Sequence, residues 1–160
     1  MVEIMTDENL VRNICLVLQK KLEKLTYPDS NNKVFKKVLI GYDEQKIKIQ
    51  GDGVVGVCYF RRANDFMETF GRHNVPNYIN TVVAFVIRGA SLEKYDRASS
   101  IIDLLLYEFQ HNHELIRLED NGKRIVRDTD ILDVDLTLSK ITGNKLDTIG
   151  VFTLRHHVFK

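Results

Sequence analysis

The chain has 160 residues, 44% hydrophobic and 28% charged, with 23 Lys and Arg against 22 Asp and Glu. That is one domain's length with ample core material, and it lacks both the composition of a disordered tail and the basic surplus of a general nucleic-acid binder. Its two cysteines, Cys15 and Cys58, sit in apolar runs without a C-x-x-C, which excludes a disulfide scaffold and suits small buried hydrophobes in a reducing compartment. No run approaches the ~18 apolar residues of a membrane span, and the acid-bearing start (Glu3, Asp7, Glu8) does not read as a secretory signal, so a cytoplasmic protein is expected.

Thr6 and Asp7 supply N-cap oxygens, and Leu10, Val11, Ile14, Val17, Leu18, Leu22 and Leu25 recur at helical spacing opposite Arg12, Asn13, Gln19, Lys20, Glu23 and Lys24. The pattern predicts a first amphipathic helix that stops near Tyr27-Pro28, because the residue before proline avoids the helical region. Pro28 to Asn32 is turn chemistry. Val34 to Ile40 reads as a strand, Lys46 to Gln50 alternates as a short half-exposed one, and Val54 to Phe60 is a third. Gly51 to Gly56 spells G-x-G-x-x-G, but it precedes a β run instead of opening a helix, so it fails the dinucleotide test.

Residues 61 to 80 lack periodicity and predict a long loop, a length that in one domain points to function. The loop mixes Arg61, Arg62, Phe66, Phe70, Arg72, His73 and Tyr78, residue types enriched in protein interfaces, which also serve single-stranded nucleic-acid binding or a loop folded on its own domain. These seven are the candidate interface residues.

Thr81 to Ile87 (T-V-V-A-F-V-I) is nearly all apolar, as in a strand buried on both faces. A second helix follows, capped by Ser91 and ending at His111, with Leu92, Tyr95, Ala98, Ile102, Leu105, Leu106 and Phe109 as its apolar stripe. Asn121-Gly122 predicts a tight hairpin between Leu115–Leu118 and Arg124–Arg127. Ile131 to Ile141 alternates, with Val134, Leu136 and Leu138 on one face and Asp133, Asp135 and Thr137 on the other, and Ile149 to Phe159 is the last strand. Helices mixed with hairpin-linked strands predict an α+β fold: a single domain over residues 1–160, with a mainly antiparallel sheet and two long helices packed on one face.

Reactive constellations are incomplete. His111 and His113, and the pair His156-His157, lack further ligands at zinc spacing. His111-Asn112-His113 matches a short nuclease string, but it ends a helix instead of entering a ββα-metal unit. The acids Asp128, Asp130, Asp133 and Asp135 have no central glycine for a calcium loop. Asp29 with Glu44 and Lys46 resembles the Pro-Asp … Glu-x-Lys signature of magnesium-dependent nucleases, with a whole strand intervening. No catalytic, metal or cofactor residue is assigned, and the chain is read as a non-enzyme.

The order of elements carries a resemblance. A capped helix, a small sheet and a long mid-chain loop lead to T-V-V-A-F-V-I-R-G, which runs straight into a helix ending L-L-L-Y-E-F-Q-H-N. The strands I-L-D-V-D-L-T-L and I-G-V-F-T-L-R-H-H-V-F close the chain. Over nearly its whole length this resembles the tail terminator (tail-completion) proteins of long-tailed bacteriophages. The resemblance implies a structural homo-oligomer, a ring of about six subunits, that caps the tail tube, stops its polymerisation and faces the head connector. The expected partners are the tail tube protein and the connector protein, with no membrane, no sequence-specific nucleic acid and no cofactor. The expected place is the neck of the virion tail, after assembly in the host cytoplasm. The alternatives are another neck or head-closure component, an adaptor of like fold, or the magnesium-dependent nuclease.

Overall fold

The first helix, α1, spans Asp7–Glu23 and buries Ile14, Cys15, Val17, Leu18 and Leu22 along one stripe. The computed structural model describes residues 7–41, 54–60, 78–140 and 145–159. The predicted strand at 46–50, the turn before it and most of the 61–80 loop lie outside these. Helix α1 ends four residues short of Tyr27. Leu25 then accepts from the Val34 amide, and Thr26 bridges to Lys33, so the Pro28–Asn32 turn folds back on the helix end.

Strand β1 is Lys37–Ile40 and β2 is Val54–Phe60. Val34 and Phe35, expected as strand, are instead buried in the irregular approach to β1. Strand β3 spans Tyr78–Ile87, so Tyr78, Ile79 and Asn80 belong to it and not to the loop. Residues Thr81–Ile87 are each no more than 7% exposed, as a strand apolar on both sides requires.

Helix α2 spans Leu92–His111, and the Ser91 hydroxyl accepts from the Lys94 amide at 3.2 Å as its N-cap. Its buried stripe is Ala98, Ile101, Leu105 and Phe109. Leu92 and Tyr95, expected in that stripe, are 77% and 51% exposed, because the first turn of α2 overhangs the core. A single helical turn, α3 (His113–Ile116), replaces the expected extended run at Leu115–Leu118. Arg117 caps it, and the next residue, Leu118, adopts φ 49° with its side chain fully buried. Burial of a leucine, worth roughly 2 kcal/mol, offsets the roughly 1–2 kcal/mol that the left-handed region costs a residue with a Cβ.

The Asn121-Gly122 turn holds both residues at positive φ (52° and 75°), the type I′ geometry, between β4 (Glu119–Asp120) and β5 (Lys123–Arg124). Strands β6 (Asp128–Ser139) and β7 (Asp147–His157) complete the fold, with a bulge between Ile131 and Asp133.

The main sheet has the order β1-β2-β3-β7-β6. Its pairs are antiparallel except β1–β2, which is parallel. Helix α1 lies against β1 and β2, and α2 against β7 and β6. Residues of both helices share one core with Val38, Val83, Phe85, Phe152 and Leu154, so both helices cover one face. The fold is α+β with a mainly antiparallel sheet.

One row of that core crosses all five strands: Val38, Gly56, Phe85, Gly150, Leu136. The Phe85 ring lies over Gly150, where an added Cβ would come within 2.3 Å of it. It also tilts against Phe35, with centroids 6.3 Å apart. Gly56 in turn leaves room for Phe35 and Val38, the nearest atoms to its own missing Cβ at 3.2–3.4 Å. The glycines on either side of Phe85 are thus packing devices that seat two aromatic rings on the sheet.

Candidate functional site

Two polar assemblies stand out in this scaffold. The first is buried. His156 of β7 is fully enclosed, between β3 and β6. Its Nε2 lies 2.7 Å from the Thr81 hydroxyl and its Nδ1 2.8 Å from the Thr129 hydroxyl. Burial, and secondly the charge of neighbouring His157, lower its pKa from 6.5 to about 3. The ring is therefore neutral: one nitrogen donates to one threonine and the other accepts from the second. This is a cross-strand brace with no access to a substrate.

The second assembly is open. The C-terminal part of α2, α3, the start of β6 and the end of β7 enclose a groove of about 770 Å³. Phe109, Ile116 and Ile131 form its apolar part, and Gln110, Arg127, Asp128, Thr129, Asp130 and His157 its polar part. His157 Nε2 pairs with Asp130 Oδ2 at 2.7 Å, both side chains substantially exposed. Beside this pair, the Arg155 guanidinium stacks 3.9 Å over the Tyr78 ring and its Nε donates to Asn80 Oδ1 at 3.4 Å. Arg124 caps the C-terminal segment, 5.4 Å over the Phe159 ring, and hydrogen-bonds the carbonyls of Val126 and Arg127.

Of the seven candidate interface residues, Tyr78 is described, and it stands at this cluster. Arg61, Arg62, Phe66, Phe70, Arg72 and His73 lie outside the described residues. Reasoning on the loop missed Arg155, Asp130 and His157. Their signal is the two-residue alternation of β6 and β7, which, once the strands pair, lines them up beside Tyr78.

Asp29 is exposed in the turn after α1, and its proposed companions Glu44 and Lys46 lie outside the described residues. His111 ends α2, stacked on Tyr107 with ring centroids 4.6 Å apart, and exposed His113 begins α3. Among the described residues, no group of three or more His, Cys, Asp or Glu side chains converges as a metal site would. Cys15 is buried, and burial pushes its thiol up to about 11, which makes it a poor nucleophile. No helix among the described residues is long and apolar enough to cross a membrane.

Neither the known protein families nor the curated proteins searched yield a match to this chain.

Proposed function

We propose that this chain is a structural subunit of the tail-terminator kind. It assembles with copies of itself into a ring on the end of a phage tail tube, stops tube growth, and presents its other side to the head connector in the neck of the virion. The observation that carries the reading is the join between β3 and α2. A strand buried on both faces passes within five residues into a long helix, the order on which the resemblance rests. The first turn of that helix leaves Leu92 and Tyr95 largely in solvent. Exposed apolar side chains at a helix start are available for contact with another protein. The open groove fits the same role, since its polar, solvent-facing lining suits the side chains of a docking surface.

The test is length control. Tail-tube protein polymerised with the purified chain is expected to give short tubes, each ending in a cap visible by negative-stain microscopy. The variant Leu92→Ser/Tyr95→Ser, altered only at exposed positions, is expected to keep its thermal stability and lose at least tenfold in capping. Tubes of unaltered length at saturating wild-type protein would overturn the proposal.

A further inference from the structure

Two rows of apolar side chains on α2 and β6 are only half covered by the core. On α2 the row is Leu92, Tyr95, Ile102 and Leu106, with Ser99 between, at alternating three- and four-residue steps beside the buried stripe. Leu92 is 77% and Tyr95 51% exposed, and Ile102 and Leu106 are partly buried. On β6 the row is Ile131, Val134, Leu136 and Leu138. Its first three members are partly buried, and Leu138 is 49% exposed.

The two rows lie side by side. At one end Gln110, the next step of the helix row, lines the open groove together with Asp128–Ile131. At the other end the amide of Gly89, just before α2, donates to Asp147, the register partner of Ser139. Helix α2 therefore runs antiparallel along β6, with Leu92 toward Leu138. The helix rises about 21 Å from Leu92 to Leu106, and the strand about 23 Å from Ile131 to Leu138. The rows match in length and form the walls of an apolar trough, which takes about four turns of a further helix beside α2.

The rims of the trough are acidic. Asp96 and Asp103 follow Tyr95 and Ile102 on the solvent side of α2, and Asp133 and Asp135 alternate with Val134 and Leu136 on β6. All four are exposed, and none makes an ion pair with a described residue. The basic residues Arg127 and Lys140 stand only beyond the two ends of β6. Apolar walls between acidic rims fit an amphipathic helix whose apolar row is flanked by lysine or arginine, with the long stems lying on the walls and the charged heads reaching the carboxylates. A second copy matches poorly. Trough against trough sets acid against acid, and α1 exposes Leu16 alone among its large apolar side chains. We infer that the α2–β6 trough docks a basic amphipathic helix of a partner protein. The inference goes beyond the tail-terminator reading and shares with it only the use of Leu92 and Tyr95 as contact residues.

The test uses two synthetic helical peptides of about four turns with the same leucine row, one flanked by lysines and the other by glutamates, and reads binding by fluorescence anisotropy. The lysine peptide is expected to bind at least tenfold tighter than the glutamate peptide. Asp103→Asn/Asp133→Asn, one change on each rim, is expected to weaken it at least fivefold. Asp29→Asn/Glu93→Gln, which neutralises two exposed acids off the trough, is expected to leave it within twofold. Leu92→Ser/Tyr95→Ser is expected to weaken it at least tenfold, with the fold of every variant checked by circular dichroism. Equal binding of the two peptides, binding of neither, or equal weakening by the two charge-neutralising variants overturns the inference. So does a light-scattering mass above one chain that Leu92→Ser/Tyr95→Ser abolishes and Asp103→Asn/Asp133→Asn leaves unchanged, which would make a second copy the occupant. The peptide assay needs neither ring nor tube, so its failure leaves the capping proposal standing, and a failure of capping leaves the trough standing.

Discussion

Gly150 and His156 show how much of this fold hangs on single positions. An alanine at 150 would drive its Cβ to within 2.3 Å of the Phe85 ring, and that ring is fully buried with Phe35 beside it. Gly150→Ala is expected to cost roughly 3 kcal/mol or more in urea unfolding, at or beyond the usual range for overpacking. Adding Phe85→Leu is expected to recover part of the loss, so that the double variant is more stable than Gly150→Ala alone; simple additivity of the two losses would refute the packing account. His156 makes a different prediction. Its folded pKa of about 3 lies below the ordinary 6.5, so the unfolded chain takes up the proton first as pH falls. The stability tied to the neutral ring is therefore fully present above pH 6.5 and drains away between 6.5 and 3, at up to about 1.4 kcal/mol per pH unit and roughly 5 kcal/mol at the limit. Urea midpoints at pH 7.5, 6.5, 5.5 and 4.5 are expected to fall more shallowly in His156→Gln than in wild type. Equal slopes would show that another group drives the acid transition. At pH 7, Thr129→Val is expected to cost about 1–3 kcal/mol, because it strands a buried ring nitrogen.

At the scale of elements, whether a pattern could be read depended on whether local chemistry decided the structure. Helix α2 was legible to within a residue because Ser91 caps it and apolar positions recur through it. Ser91→Ala is accordingly expected to lower stability by about 1 kcal/mol, seen as an earlier thermal midpoint. The Asn121-Gly122 turn was legible because both residues tolerate the left-handed region that a type I′ turn demands. The run Leu115–Leu118 was not, since three apolar residues and one arginine suit a strand or a helical turn equally, and tertiary burial of Leu115 and Leu118 chose the turn. Leu92 and Tyr95 fit the helical period and still lie outside the core, because periodicity gives a direction and not the reach of the surface the helix packs on. The parallel pairing of β1 with β2 is a property of connectivity that strand composition does not encode. Of the open polar cluster, Tyr78 alone was among the seven residues singled out as a candidate interface, and it lies in β3 instead of the predicted loop. Arg155, Asp130 and His157 come to it through the β3–β7–β6 register, which no short window of sequence reveals.

At the scale of the whole molecule, charge and apolar surface make competing claims on assembly, and salt separates them. A net charge of +1 gives copies no overall repulsion to overcome. If copies meet mainly through the exposed Leu92, Tyr95 and Leu138, screening by salt changes the contact little, and a surface-excluded salt such as ammonium sulfate strengthens burial. The mass of the assembly is then expected to hold between 0.05 and 0.5 M sodium chloride and to persist to at least tenfold lower protein concentration in ammonium sulfate, read by light scattering. Dissociation by chloride would instead assign the contact to charged side chains, whose attraction is screened over about 10 Å at 0.1 M salt, and direct attention to the His157–Asp130 groove.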